Sequence, residues 1–240
     1  MRYALVNGEM SEAERGLSGE CRGCGMPMLS RCGRVRVKHW AHKGKVVCDP
    51  WMKAKTQWHI RWQDRFPKTW QEFRFIAESG EMHIADVKTK KNWVIEFQHS
   101  PISYEERQAR NNFYKKLVWV VDGMTRKRDK PKFFGSLKPV ASITNNQSLV
   151  RRICKASLNN CALLRDWAGN SSPVFFDFGE DDPMLWCLLP KTQNGEIYVI
   201  EFLRAGFIAC HRDESTNKDF FSELINNFAR EISNIQSKAK

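Results

Sequence analysis

Between residues 70 and 122, polar and apolar positions follow a rhythm that predicts three strands, a helix and a fourth strand. Gln71–Ile76 (QEFRFI) alternates polar and apolar, and Met82–Lys88 forms a second strand-like run. Trp93–Gln98 (WVIEFQ) puts Glu96 and Gln98 on one face, opposite Trp93, Ile95 and Phe97. Ser103-Tyr-Glu-Glu106 reads as a capping box that starts a helix. Leu117–Val121 (LVWVV) is continuously apolar, as expected of a strand covered on both faces. Upstream, Asp49-Pro50 reads as a helix start, with Trp51, Trp58, Trp62 and Phe66 forming an apolar stripe and Pro67 closing the segment. Downstream, residues 140–170 read as helix, with a polar lead-in at Thr144–Ser148 and then Leu158–Trp167. Pro173–Phe178, Met184–Leu189 and Ile197–Phe202 read as strands, with an Asn194-Gly195 hairpin signal before the third. Phe221, Leu224, Ile225, Phe228, Ile232 and Ile235 mark a final amphipathic helix. Residues 1–20 offer one short apolar run, Tyr3–Val6, and little else.

The pattern places two carboxylates, Asp86 and Glu96, on neighbouring strands among apolar residues. Burying both is costly unless something neutralises them, and a hard divalent cation does so while also activating water and stabilising charge on a phosphate. Glu72 is either a third carboxylate for such an ion or a solvated strand residue. On the following helix Arg107, Arg110 and Tyr114, at i, i+3 and i+7, share one face. They are either a phosphate grip or a solvated face paired with Glu105 and Glu106.

Asp86 followed by Glu96-x-Gln98, with Arg110-x-x-x-Tyr114 on the next helix, resembles the PD-(D/E)XK nuclease superfamily. More narrowly, His83-x-x-Asp86-Val87, Ile95-Glu96-Phe97-Gln98-His99-Ser100 and Val118-Trp119-Val120-Val121-Asp122 resemble the CoiA-like competence proteins. The resemblance covers about residues 18–125 and fades beyond about residue 140. It implies a restriction-endonuclease-like α/β (α+β) core. Asp86, Glu96 and the Phe97 carbonyl would hold Mg²⁺ or Mn²⁺, and Glu72 is a secondary candidate. Gln98 stands where the superfamily usually has lysine: it can orient water but cannot supply positive charge. Ser100, Arg107, Arg110 and Tyr114 would lie beside nucleic acid. Thr56-x-Trp58-His59 resembles a helical motif of the family, which leaves His59 either packed or facing phosphate.

Cys21-Arg-Gly-Cys24 and His39-Trp-Ala-His42 have the ligand types and ends of a tetrahedral zinc site, with Cys32 and Cys48 competing for places. A Cys-x-x-Cys followed by His-aromatic-Ala-His also occurs in the CoiA-like family. The interval between the two motifs suggests a few short strands, too small to fold without a staple. Arg31, Arg34, Arg36, Lys38, Lys43 and Lys45 surround this element.

Charge strengthens the nucleic-acid reading. The net charge is +12, and residues 1–140 hold 28 Lys/Arg against 15 Asp/Glu, while residues 141–240 hold 11 against 12. A polyanionic partner, DNA by resemblance, would bind largely through phosphate neutralisation. No apolar run spans a bilayer and no signal pattern opens the chain, so a cytoplasmic protein with no membrane partner is expected. The expected division is 1–48 zinc element, 49–138 nuclease-like core and 139–240 accessory α+β module, the last a place for a protein partner or self-association. The resemblance implies a role in DNA uptake, recombination or phage DNA processing. Two rivals remain: a non-cleaving DNA or recombination-intermediate binder on the same fold, and an RNA-processing nuclease.

Overall fold

The computed structural model describes residues 1–44, 48–142, 149–190, 196–216 and 218–238. The polar lead-in at Thr144–Ser148, the Asn194-Gly195 hairpin and Lys45 lie outside the described residues. The chain is of mixed α/β type and divides into two compact units, Met1–Lys88 and Thr89–Lys240.

The first unit opens with five short antiparallel strands: β1 (Tyr3–Val6), β2 (Glu9–Glu12), β3 (Ser18–Glu20), β4 (Pro27–Arg31) and β5 (His39–His42). They lie in the order β2-β1-β3-β4-β5. Asn7 and Gly8 join β1 to β2 with φ of 52° and 82°, the two positive values that a tight hairpin turn matching strand twist requires. Met1, Ala4, Ala13, Cys21, Met28 and Trp40 form a buried cluster under this sheet. The Met1 amine donates to the Trp40 carbonyl at 3.0 Å, and Trp40 Nε1 donates to the Ser11 carbonyl at 2.9 Å. The N-terminal twenty residues, whose sequence offered only the apolar run Tyr3–Val6, thus supply three of the five strands and part of a small core.

Asp49 does not cap a helix. Its carboxylate accepts from Trp51 N at 2.9 Å and Ile84 N at 2.8 Å and bonds His83 Nδ1 at 2.9 Å, while the Trp51 ring stacks on His83. Helix α1 (Gln57–Gln63) starts later, capped by Thr56, whose hydroxyl accepts from His59 N at 3.4 Å. Trp58, Trp62 and Phe66 are buried, as the stripe requires. Strands β6 (Gln71–Ile76) and β7 (Met82–Lys88) then pair antiparallel.

The second unit begins with β8 (Val94–Gln98), α2 (Tyr104–Phe113, capped by Ser103) and β9 (Leu117–Asp122). It continues with α3 (Asp129–Gly135), β10 (Leu137–Ser142), β11 (Val150–Ala156), α4 (Ala162–Trp167), β12 (Val174–Asp177), β13 (Met184–Leu188) and β14 (Ile197–Leu203). Helices α5 (Arg204–Arg212) and α6 (Phe220–Lys238) complete it. Its strands run in the order β10-β11-β14-β13-β12-β9-β8. Strand β9 is parallel to both β8 and β12 and is buried along its whole length, which explains its unbroken apolar sequence.

Two expectations are corrected. Leu137–Ser142 and Val150–Ala156 are strands, not helix, and among the described residues of 140–170 only Ala162–Trp167 is helical. The C-terminal strands are not a separate module, because β12 joins the sheet directly beside β9. A fragment ending near Lys138 would strip β9 of one partner strand. By unit, Met1–Lys88 holds 16 Lys/Arg against 10 Asp/Glu and Thr89–Lys240 holds 23 against 17, so both are basic.

The α5–α6 side of this unit contains a buried histidine. His211 Nδ1 donates to the Phe207 carbonyl at 2.8 Å, and its ring packs on Phe207 and Phe221. Burial drives its pKa from 6.5 to about 4. The folded chain therefore holds it neutral, and unfolding between those two pH values takes up a proton. Stability should fall as pH drops through this window, by about 3 kcal/mol from this group, with no further loss from it below the lower value. Thermal unfolding of wild type and His211→Phe between pH 7 and pH 4 checks this: the variant is expected to lose less stability on acidification.

Candidate functional site

In the first unit the ligand atoms of Cys21, Cys24, His42 and Cys48 all lie within 4.8 Å of one another. Gly25, with φ of 74°, donates to the Cys21 carbonyl at 2.8 Å and closes the Cys-x-x-Cys loop, while Gly23 N donates to Cys21 Sγ at 3.3 Å. Cys21 Sγ lies 3.7 Å from Cys48 Sγ, and Cys24 Sγ lies 3.3 Å from His42 Nε2. Thiolates each 2.3 Å from a tetrahedral zinc stand about 3.8 Å apart, so the donor set fits zinc in number, type and spacing. Burial pushes the Cys48 thiol up, with Cys21 beside it, and pushes His42 down.

His39 is not in the cluster, which corrects the expected ligand set. Residues three apart on a strand leave on opposite faces, so β5 cannot offer His39 and His42 to one ion. His39 Nδ1 instead bonds the Val37 carbonyl at 2.8 Å, and its side chain borders a cavity of about 620 Å³ with Arg31, Arg34 and Arg36. Cys48, one of the two competitors, takes the fourth place. Cys32 does not: its Sγ faces the Ala13 carbonyl at 3.5 Å.

Of the carboxylates expected at an ion, the first unit holds Asp86 on β7 and Glu72 on β6, both buried. The pairs Gln71–Val87 and Phe73–Ala85 set position 72 opposite position 86. Like charges in that arrangement repel. Lys55, from the loop before α1, lies between them: its Nζ is ion-paired with Asp86 and 3.7 Å from Glu72 Oε1. Glu72 also accepts from Arg2 N at 2.7 Å and Tyr3 N at 3.0 Å, and it holds a left-handed backbone, φ 48°. Such strain in a non-glycine residue persists where the surroundings over-determine it. His59 sits one turn into α1 with its Nδ1 3.1 Å from Thr56 Oγ1, packed edge-on to Trp58.

Lysine therefore supplies a positive charge at this position that the sequence argument had assigned to a metal alone. Removing one partner of a buried pair leaves the other charge stranded. Lys55→Met is expected to lower stability by about 3 kcal/mol in zinc-loaded protein with no Mg²⁺ or Mn²⁺ added. Millimolar Mn²⁺ should return part of that loss, because the ion takes the place of the ammonium. A melting temperature of the variant that Mn²⁺ leaves unchanged would argue against a cation site at Asp86.

In the second unit Glu96 is buried on β8 and accepts from Arg110 Nη1 at 2.7 Å, while Arg110 Nη2 reaches Glu106 Oε1 at 2.5 Å. Arg110 is thus a partner of Glu96, not part of an open basic face. Tyr114 follows the last turn of α2, buried in the core beside Phe113. Phe97 lies in β8 opposite Val120. Gln98 ends the strand, and its Nε2 donates to the Ser100 carbonyl.

Gln98, Ser100 and Arg107 border a cleft of about 780 Å³ at the C-terminal ends of the parallel strands β8 and β9. Crevices beyond the carboxyl ends of parallel strands are where open α/β sheets commonly bind ligands. Asp122, at the end of β9, holds His99 Nδ1 at 2.8 Å. Next to it Gly123 is required: a Cβ there would come within 2.4 Å of the Phe178 ring.

Residues 83–153 match the family described as "Competence protein CoiA, nuclease-like domain". No curated protein and no solved structure matches the chain. The CoiA-type segment is less than a third of the sequence, yet it holds Asp86, Glu96, Gln98, Ser100, Arg107, Arg110, Tyr114 and Asp122. The cysteine cluster, Lys55, His59 and Glu72 lie before it. Sequence reasoning missed Lys55 as a partner of Asp86. The one available signal was a lysine directly before the Thr56 cap. Among the described residues, no helix is long and apolar enough to cross a membrane.

Proposed function

We propose that the chain is a metal-dependent nuclease of the PD-(D/E)XK type that hydrolyses phosphodiester bonds of DNA. The observation that carries this reading is the motif Asp86, then Glu96-x-Gln98 and Ser100, within the segment matched to the CoiA nuclease-like family. Asp86, Glu96 and the Phe97 carbonyl would hold Mg²⁺ or Mn²⁺; their joint assignment rests on order and spacing in the sequence. They are hard oxygen donors suited to such ions. The ion, when bound, supplies Lewis acidity for the attacking water and for charge on the phosphate. Arg110 fixes the Glu96 carboxylate. Gln98, its amide nitrogen engaged by the Ser100 carbonyl, offers its oxygen to orient the water. Glu72 and Lys55 set the charge around Asp86. The four-residue cluster Cys21, Cys24, His42 and Cys48 would hold structural Zn²⁺, and Arg31, Arg34 and Arg36 on that element add phosphate contacts.

The test is incubation of purified protein with end-labelled single- and double-stranded DNA and RNA, with Mg²⁺ or Mn²⁺ and with EDTA. Metal-dependent cutting of DNA supports the reading; cutting of RNA alone moves it to RNA processing. A second reading, a non-cleaving DNA binder, is favoured by one observation: Asp86 and Glu96 each already carry a cationic partner, Lys55 and Arg110. Tight DNA binding with no cutting under any of these conditions would establish it.

A further inference from the structure

The cleft at the ends of β8 and β9 contains a buried guanidinium whose hydrogen bonding is incomplete. Arg107 is only 6% exposed, and its guanidinium lies between Tyr104, at 5.6 Å, and Trp167, at 5.0 Å. Its Nη1 donates to a neutral acceptor, the Asp166 carbonyl, and its buried Nε has no partner among the described residues. The carboxylates that border the cleft are already engaged. Asp122 holds His99, and Asp166 accepts from Arg126 Nη2 at 2.9 Å. Arg165, also at the rim, donates to the carbonyls of Leu158 and Asn159. A guanidinium removed from water with a donor unfilled is destabilising unless an acceptor completes it, and a planar fork suits a phosphate.

Beside this charge stands an aromatic ring facing solvent. Tyr104, the first residue of α2, is 63% exposed and borders the same cleft. Bases stack on such rings without regard to sequence. The volume, about 780 Å³, is within the range of small-ligand sites and accommodates a nucleoside monophosphate unit.

We infer that this cleft binds one nucleotide of single-stranded nucleic acid, its phosphate on Arg107 and its base stacked on Tyr104. A base in a closed duplex is stacked on both faces and cannot meet Tyr104, so the cleft selects single strands or frayed ends. The inference rests on the nuclease reading for the identity of the polymer, but the pocket itself is formed by the second unit alone.

Binding measured on zinc-loaded protein with no Mg²⁺ or Mn²⁺ added tests the pocket separately from catalysis. The probes are deoxyadenosine 5′-monophosphate, adenosine, inorganic phosphate, a twelve-residue oligodeoxyadenylate and its blunt duplex. Wild type is expected to bind the nucleotide and, more tightly, the single strand, and to bind adenosine and the duplex at least ten-fold more weakly. Tyr104→Ala, an exposed position that leaves the fold intact, should weaken the nucleotide about ten-fold and leave inorganic phosphate unchanged. Arg107→Lys should weaken both, because the fork is lost. Equal binding of adenosine and nucleotide, equal binding of duplex and single strand, or an unaffected Tyr104→Ala variant would each overturn the inference. So would a cleft that takes the mononucleotide but not the oligonucleotide. Failure here leaves metal-dependent cutting untouched, whereas absence of cutting in Mn²⁺ leaves these binding results standing.

Discussion

Cys48→Ala is expected to cost the protein its zinc and the folded state of its N-terminal sheet. Preparations of wild type should carry about one zinc per chain, held by Cys21, Cys24, His42 and Cys48. Binding energy at such sites is folding energy, on the order of 10 kcal/mol for small zinc elements, and a three-ligand remnant keeps little of it. The β1–β5 sheet buries few large side chains besides Tyr3, Met28 and Trp40, so it has little reserve. Elemental analysis and near-ultraviolet circular dichroism, in which Trp40 reports, check both parts. His39→Ala is the control, expected to keep its zinc because His39 faces Val37 and the arginine-lined cavity. Loss of zinc in His39→Ala with retention in Cys48→Ala would reverse the ligand set.

Glu96→Ala and Asp86→Ala are expected to reduce cleavage on the order of 10³-fold or more while leaving DNA affinity equal or slightly higher. Each removes a ligand of the proposed ion, whose activation of water is worth several kcal/mol, and about 1.4 kcal/mol is a factor of ten in rate. Neither removes positive charge, and both relieve repulsion of phosphates. Their side effects differ. Glu96→Ala strands Arg110, which keeps Glu106 as a partner, whereas Asp86→Ala leaves Lys55 near Glu72. Neither variant therefore leaves a buried cation without a carboxylate nearby, and a loss of activity is readable as chemistry if the melting temperatures stay close. Gln98→Ala should cost less, since it removes orientation alone. Wild-type rates in Asp86→Ala would place the chemistry elsewhere.

How much of this was legible in the sequence depended on whether the signal was local. Strands β6 to β9 and the Ser103 cap of α2 stand where alternation, apolar runs and the capping box put them, because those signals lie within the elements themselves. Strand β10 carries Pro139 and mostly exposed residues, as an edge strand tolerates, and so showed no alternation to read. Asn7-Gly8 is a hairpin signal in its own right, but EMSE beyond it lacks the apolar residues that would have marked β2. The early helix start failed because the Asp49 carboxylate is taken by His83 and the Ile84 amide, partners more than thirty residues away. For the site, residue types were readable and partners were not. Cys48 joins the cluster from a position that no finger spacing specifies, and Lys55 and Arg110 find their carboxylates only through the fold.

The central proposal is that Asp86 and Glu96 are both ligands of the divalent ion, an assignment from the sequence, and Mn²⁺ binding tests it without recourse to activity. Zinc-loaded wild type, Asp86→Ala and Glu96→Ala should be titrated with Mn²⁺ and followed by electron paramagnetic resonance of the free ion. The account predicts a Mn²⁺ site in wild type that either substitution abolishes, since the two remaining donors cannot hold the ion at the same concentration. Wild type that binds no Mn²⁺, or variants that bind it as wild type does, would contradict the claim.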